Sequence, residues 1–364
     1  MFANNYAGKR VLVTGHTGFK GSWLILWLLK LGAEVIGVSL NIPTDPAMFQ
    51  ELSLSSRIKH ITLDIRKLEE LRELIAKERP DFIFHLAAQA IVSMSYSDPV
   101  ETITTNVIGT MNILEALRQV DWPCVAVLIT SDKCYDNVEW VWGYRETDAL
   151  GGRDIYSGSK GAAEMIIKAY MCSFFSNEHS VRLGIGRAGN VIGGGDWAKD
   201  RLVADCMRAW SESRSVDIRS PEATRPWQHV LEPLSGYLTL GSMLAKQQLH
   251  GQAFNFGPRS EQNRTVIELL DSLYRNSGFV TSKCAYQITA NIPFHEAGLL
   301  KLNCDKALFY LKWEPNLDYN ETIQLVSDWY NAYYHEKTNM YTLTLKQIDS
   351  YERVGLERNR IWAR

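Results

Sequence analysis

Near the start of the chain, Val11-Leu-Val-Thr14 runs directly into Gly15-His-Thr-Gly18-Phe-Lys-Gly21, and an apolar stretch from Ser22 to Leu31 follows. A short β-rich run, three glycines spaced Gly-x-x-Gly-x-x-Gly and an apolar helix leave few folds open. In that order they predict the strand, turn and helix that begin a βαβ unit. The first glycine suits a tight turn, the second lets a pyrophosphate approach the backbone, and the third lets the helix pack on the strand. The helix start then offers free N–H groups and a partial positive charge to phosphates. Gly15, Thr17, Gly18, Phe19, Lys20 and Gly21 are therefore read as a dinucleotide-binding turn.

The same rhythm continues. Further strands are expected at 34–40, 61–64, 81–86, 125–130 and 182–187, and helices at 68–78, 100–119 and 156–175. Apolar strands alternating with helices predict an α/β fold, a Rossmann-type doubly wound parallel sheet covered on both faces. After about residue 190 the rhythm weakens, and Gly193-Gly-Gly195, Pro221, Pro226 and Pro233 punctuate that half. The expected organisation is a dinucleotide-binding domain at 1–188 and a smaller, mainly substrate-binding lobe at 189–364, with the chain able to cross between them. No flexible linker or internal repeat stands out, and the charged tail after Thr338 reads as an outer helix.

Composition excludes several classes. Hydrophobic residues make up 46% and charged residues 22%, as in ordinary globular enzymes. The 39 basic and 41 acidic residues leave a net charge of −2, so no basic field points to nucleic acid. Cys124, Cys134, Cys172, Cys206, Cys284 and Cys304 are scattered without a CxxC pair, which disfavours a zinc ribbon and suits a reduced, cytoplasmic setting. No targeting segment is seen, and the apolar stretch Trp23 to Leu31 falls far short of the ~20 residues that span a bilayer. His295-Glu296 is an isolated pair, and no metal-ligand spacing appears.

One expected part of the dinucleotide site is absent. The second strand often ends in an acid that holds the adenosine ribose. Here that region reads Ser39-Leu40-Asn41, with no acid until Asp45 and no basic residue to favour a 2′-phosphate. Asn41 is the candidate ribose ligand, and NAD is preferred over NADP. Asp64-Ile65, closing the third strand, either meets the adenine or caps the strand.

Tyr156-Ser-Gly-Ser-Lys160 sets a phenol and an ammonium on one helix face. The ammonium can lower the phenol pKa and bond a nicotinamide ribose, and the phenolate can take a proton from a sugar hydroxyl as hydride leaves. Tyr333-Tyr-His-Glu-Lys337 has the same spacing but lacks an upstream cofactor turn, so it reads as a surface helix pair.

With this turn and pair in place, the chain resembles the extended short-chain dehydrogenase/reductase family along nearly its whole length. His85-Leu-Ala-Ala-Gln89 and Asn106-Val-Ile-Gly-Thr110 are similar to the family's fourth-strand and long-helix motifs. Arg187-Ala-Gly-Asn190, Arg225-Pro-Trp-Gln-His229 and Asn255-Phe-Gly-Pro258 are similar to its late, sugar-nucleotide set. The resemblance implies NAD as cofactor, with Leu86, Ala87, Ala88, Gln89 and Asn106 beside it. It implies substrate contacts from Gln89, Ser131, Asn190 and Arg225, with Arg201 and Arg264 as weaker candidates. It also implies a homodimer through the two long helices, or a tetramer.

Thr130-Ser-Asp-Lys-Cys-Tyr135, ending the fifth strand, is the most informative stretch. Sugar-nucleotide epimerases carry no acid/base pair after the Ser or Thr, whereas 4,6-dehydratases do. Ser131-Asp132-Lys133 resembles the branch of the family that dehydrates CDP-glucose, which implies that sugar nucleotide as substrate. Such a reaction needs oxidation at C4, loss of water across C5 and C6, and hydride return to C6. Tyr156, with Lys160 and the Ser131 relay, serves the oxidation. Asp132 is the candidate acid, requiring a pKa raised from about 3.9. Lys133 is either the C5 base, requiring a fall of roughly three units from about 10.4, or a charge that stabilises the enolate.

Overall fold

The structure is a computed structural model that describes residues 1–246, 248–279, 285–289, 298–336 and 338–364. Cys284, His295-Glu296 and Lys337 lie outside the described residues.

The first strand, β1 (Arg10–Thr14), is followed by β2 (Glu34–Ser39), β3 (Lys59–Thr62), β4 (Phe82–His85), β5 (Cys124–Ile129) and β6 (Val181–Ala188). A seventh strand, Ala253–Phe256, pairs parallel with β6. The resulting order is seventh strand, β6, β5, β4, β1, β2, β3, with every pairing parallel. Strand order reverses between β1 and β4, and ligands of such sheets bind at that switch point, beyond the carboxyl ends of the strands.

Side-chain alternation explains why both faces are covered. Val11, Val13, Phe82, Phe84, Val125 and Val127 enter one core. Leu12, Ile83, Cys124, Ala126 and Leu128, the intervening residues, enter the other. The first core includes Trp23 and Trp27 of helix α1 (Phe19–Lys30), both fully buried. The tail forms the helix Met340–Glu357, whose Glu352 accepts from Trp27 Nε1 at 2.7 Å and pairs with Lys30. Among the described residues no helix is long and apolar enough to cross a membrane.

Three differences from the sequence expectations have physical causes. Strand β3 lies two residues earlier than expected because it is an exposed edge strand with little apolar signal. The long helix spans 99–117 but is interrupted by a π-helical turn, Thr104–Ile108. The seventh strand was not anticipated: it comes after the rhythm weakens and returns to the sheet through the buried helix Leu231–Ala245. Beyond the sheet, short ladders fold the second half. Val191–Ile192 pairs with Gln228–His229, and Thr224–Arg225 pairs with Arg264–Thr265.

Candidate active site

The three glycines have different surroundings. Gly15 has φ +73°, and a Cβ there would lie 2.7 Å from Ala87 N, so the chain can turn beside β4 only without a side chain. A Cβ on Gly21 would lie 2.3 Å from Gly15 O, so α1 packs directly onto its own turn. Gly18 differs: a Cβ there would meet only Gly15 O, at 3.4 Å, and the space in front of it is open. No side chain caps α1 at Gly18 and no acid stands in its first turn. An open cradle before the unpaired N–H groups of a helix start fits a dinucleotide diphosphate.

Thr17 Oγ1 donates to Asn41 O at 2.6 Å, joining the turn to the end of β2. Ser39 Oγ accepts from Thr17 N at 3.3 Å and lies 2.9 Å from His16 Nδ1. His16 Nε2 is in turn 2.7 Å from His60 Nδ1, and burial lowers the His16 pKa to about 4. Sequence reasoning missed this row. A Cβ on Gly37 would sit 2.4 Å from the His16 ring, so a glycine inside β2 was the available signal. Asp64 is held by Arg66, whose side chain bonds both carboxylate oxygens at 2.7–3.0 Å and whose backbone N–H donates to Oδ1 at 2.9 Å. The Arg66 hydrogen bonds hold the Asp64 pKa below the usual carboxylate range. Ile65 O accepts from Asn112 Nδ2 at 3.0 Å, fixing the same corner.

After β4, Leu86, Ala87, Ala88 and Gln89 are half-buried. Ala87 N donates to Thr14 Oγ1 (3.2 Å), which is 2.8 Å from His85 Nδ1. His85 Nε2 is 3.2 Å from Thr110 Oγ1, and Thr110 donates to Asn106 O at 2.7 Å. A carbonyl only accepts, so the Thr110 proton is committed and His85 must donate from Nε2. Burial keeps this imidazole neutral, lowering its pKa to about 3. Asn106 sits in the π-helical turn, a frequent device at functional sites. Its amide bonds Gln89 N (2.8 Å), Gln89 O (3.0 Å) and Ser159 Oγ (2.9 Å), tying the β4 segment to the helix of Tyr156. The Gln89 side chain bonds Thr102 Oγ1 at 2.8 Å and Ile91 N.

The helix Ile155–Phe174 starts at Asp154, whose carboxylate accepts from Ser157 N, and it presents Tyr156 and Lys160 one turn apart, both buried. Lys160 Nζ lies 5.8 Å from the Tyr156 ring centroid. Ser131 caps a short turn, Asp132–Cys134, directly after β5. Ser131 Oγ accepts from Lys133 N at 3.2 Å and donates to Asp132 Oδ1 at 2.9 Å. The Ser131 hydroxyl also acts on Tyr156, lowering its pKa. The three side chains thus form a row, Tyr156 to Ser131 to Asp132.

Burial dominates the electrostatics here. It pushes the Tyr156 pKa up to about 12, against the Ser131 bond and the Arg201 charge, with Asp132 adding to the rise. It lowers Lys160 to about 8, opposed by Cys134 and Glu164. It raises Asp132, opposed by Lys133, Ser131, Lys20 and Arg225. Asp132 Oδ2 is buried without a hydrogen-bond partner and faces Gly189, where a Cβ would come within 2.9 Å. A buried carboxyl with one orphan oxygen favours the protonated form. Burial also lowers Lys20 to about 7, with the neighbouring charges of Arg201 and Lys160 acting the same way.

Arg201 is 2.9 Å from Asp196 through Nη1, and its charge reaches Tyr156. Arg225 and Arg264 are direct partners in the two-residue antiparallel ladder, so their side chains leave on the same side. The Arg225 charge is felt at Asp132, and the Arg264 guanidinium lies 5.4 Å from the Tyr319 ring. Asn190, half-buried, accepts through its carbonyl from Gln228 N at 3.1 Å. Among the described residues no group of three or more His, Cys, Asp or Glu is arranged to hold a metal ion.

Known proteins resemble this chain along most of its length. Residues 12–326 match the GDP-mannose 4,6 dehydratase family. The chain is 45% identical over 353 residues to a CDP-glucose 4,6-dehydratase of Salmonella typhimurium, covering 96% of this chain and 97% of that protein. It is 26% identical to a CDP-paratose 2-epimerase of Salmonella typhi, covering 88% and 98%. Among solved structures, a dTDP-glucose 4,6-dehydratase from Streptomyces venezuelae with NAD bound superposes with TM-score 0.76 at 21% identity, covering 90% of this chain and 99% of that one. A UDP-glucose 4-epimerase from Thermus thermophilus in complex with NAD superposes with TM-score 0.74 at 25% identity, covering 88% and 98%. With a family match across most of its length and a relative this similar from end to end, the chain belongs to the GDP-mannose 4,6-dehydratase family of extended short-chain dehydrogenase/reductases.

Proposed function

We propose that this protein is an NAD-dependent lyase that removes water from CDP-D-glucose, giving CDP-4-dehydro-6-deoxy-D-glucose. The substrate follows from the full-length relative that carries that activity in its name. The observation that carries dehydration is Asp132: a buried carboxyl with a raised pKa, joined through Ser131 to Tyr156. Oxidation or epimerisation at C4 has no use for it.

NAD, when bound, accepts hydride from C4 and returns it to C6. The α1 start with Gly15, Gly18 and Gly21 would hold its diphosphate, and Asn41 its adenosine ribose. Asp64 and Ile65 would border the adenine, and Leu86 to Gln89 with Asn106 would line the nicotinamide side. Tyr156 takes the O4 proton, with Ser131 as relay. Lys160, with a pKa of about 8, is still mostly an ammonium at pH 7; it would bond the nicotinamide ribose and lower the cost of the phenolate. The C4 ketone then acidifies C5. Lys133 serves that carbon, and Asp132 protonates the departing C6 oxygen. Arg225, supported by Arg264, binds the diphosphate of the sugar nucleotide, since a guanidinium meets phosphate oxygens in pairs. Asn190 and Arg201 border the sugar.

In this reading residues 1–188 would bind the dinucleotide and residues 189–364 mainly the sugar nucleotide, with the chain crossing back at 231–256, which packs on and joins the sheet. The proposed assembly is a homodimer. Val100 (70% exposed) and Met165 (64%) stand with Ile103, Ile108 and Phe174 as exposed apolar side chains on the two long helices. The proposed location is the cytoplasm. Incubation with CDP-, dTDP-, UDP- and GDP-glucose, followed by mass analysis, tests the function. Loss of 18 mass units from CDP-glucose is the expected result. Unchanged mass with CDP-galactose identified by chromatography overturns the dehydratase reading.

A further inference from the structure

The helix that carries Tyr156 and Lys160 bears a buried carboxylate one turn further on, Glu164, which the chemistry above does not use. Its two carboxylate oxygens each accept from Arg187 at 2.8 Å, from Nε and from Nη2. Both side chains are almost wholly buried, at 2% and 4% exposure. Such a pair carries a large desolvation cost, and apolar residues of the same volume often serve stability as well. Its partners say what else it does. Thr130 Oγ1 donates to Glu164 Oε1. Arg187 Nη1 donates to Tyr135 Oη at 2.7 Å, and Tyr135 donates onward to Asn255 Oδ1 at 2.8 Å.

Thr130 and Tyr135 bracket the segment Ser131-Asp132-Lys133-Cys134. Both ends of the acid/base turn are therefore pinned to one ion pair. The acidic half of that pair stands on the helix of Tyr156 and Lys160, and the basic half on β6. Helix and turn also touch directly, since a Cβ on Gly161 would lie 3.3 Å from Cys134 O. Asp132 has little other anchorage: one oxygen bonds Ser131 and the other has no partner.

We infer that Glu164 and Arg187, through Thr130 and Tyr135, are positioning residues that set the acid/base turn in register with the Tyr156–Lys160 helix. This rests on the dehydratase reading. Oxidation uses Tyr156 and Lys160 on the helix with only the Ser131 relay from the turn, whereas elimination uses Asp132 and Lys133, both on the turn. One sugar must meet both sets, and a displacement of about 1 Å in a reacting group can cost on the order of 10²-fold.

The test removes the tethers and leaves the ion pair. Thr130→Val and Tyr135→Phe each delete one hydroxyl at nearly constant volume, and the double variant deletes both. Product formation from CDP-glucose is expected to fall on the order of 10²-fold in kcat in the double variant. KM, NAD affinity and melting temperature stay within about twofold or a few degrees of the parent. In single turnover, absorbance of reduced nicotinamide should rise above the parental level, because oxidation proceeds while elimination stalls. Thr130→Ser, which restores the hydroxyl, should return the Tyr135 single-variant rate. A crystal structure of the double variant should show residues 131–134 displaced from Tyr156. Parental kcat, an undisplaced turn, or equal loss of oxidation and elimination overturns the inference. A parent that leaves CDP-glucose unchanged overturns the dehydratase reading instead, and the displacement of the turn still decides the positioning role.

Discussion

Gly18 and Gly21 occupy neighbouring places in the turn, yet a side chain at each has opposite consequences. At Gly18 the backbone is extended (φ −75°, ψ 170°), a conformation any residue adopts, and the only atom near a Cβ is Gly15 O at 3.4 Å. Gly18→Val therefore has room in the free protein. Replacing an N-cap glycine by valine costs about 1 kcal/mol, and the reduced freedom of the unfolded chain offsets about 0.4–1 kcal/mol of it. The melting temperature without ligand should move by no more than a few degrees. The valine methyls, however, fill the cradle where the diphosphate approaches the first-turn N–H groups. Loss of one to two hydrogen bonds to a charged group, at about 1.5–3 kcal/mol each, weakens NAD binding by roughly 3 kcal/mol, or on the order of 10²-fold.

Gly21→Ala is the control. Its Cβ would stand 2.3 Å from Gly15 O and 2.7 Å from His16 Cα, both backbone atoms that cannot swing away. Overpacking of this kind costs about 1–3 kcal/mol or more. The assay is calorimetric titration with NAD, together with thermal melts with and without ligand. At a ligand concentration of 100 times its Kd, the parent gains about 2.7 kcal/mol. The Gly18 variant should lose nearly all of that gain while melting normally without NAD. The Gly21 variant should melt early even without NAD. Parental NAD affinity in Gly18→Val refutes the placement of the diphosphate at this turn.

Tyr156→Phe, read by product mass and nicotinamide absorbance, should lower both oxidation and product formation by about 10²- to 10⁴-fold, and near-parental turnover would mean another group takes the O4 proton. Asp132→Asn combined with Lys133→Met leaves Tyr156, Lys160 and Ser131 in place, so CDP-glucose should still reduce some nicotinamide while deuterium uptake at C5 and product fall on the order of 10²-fold. Parental product formation in that variant removes both residues from the elimination. Lys20→Met should raise the melting temperature of the ligand-free protein at pH 7. Burial lowers the folded-state pKa of Lys20 from 10.5 to about 7, so between those values the unfolded chain binds more protons and parental stability rises with pH. The variant's advantage should shrink as pH climbs from about 7 toward 10, and a constant or growing advantage contradicts the buried-charge account.

The parts of the fold that were legible in sequence are those whose burial leaves a periodic trace. β1, β2, β4, β5 and β6 carry runs of apolar residues because helices cover both faces, and the glycine spacing marks a turn where Gly15 and Gly21 exclude side chains. β3 was displaced because an edge strand of Lys59-His-Ile-Thr62 buries little. The seventh strand escaped notice because four residues, Ala253–Phe256, are too few to show a period, and only the sheet gives them a partner. The break in the long helix has no signature in composition. It becomes intelligible through Asn106, whose carbonyl accepts Thr110 while its amide serves Gln89 and Ser159.

The candidate site shows the same division at the level of single side chains. Tyr156, Lys160, Ser131 and Asp132 could be singled out because the proposed reaction calls for their chemistry and their spacing is local. His85, Glu164, Arg187 and the His16–Ser39–His60 row lie behind the site, and their partners lie far along the chain. His85 joins residue 14 to residue 110, and Arg187 joins residue 164 to residue 135. A spacing rule cannot reach such pairs, but a satisfaction rule can: each of these groups is buried, and a buried polar group needs a partner. Asp132 Oδ2 breaks that rule, with no partner inside a site whose other carboxylates are fully bonded. On the proposed mechanism Asp132 exchanges a proton with substrate, and its orphan oxygen is where the leaving C6 hydroxyl would complete the network.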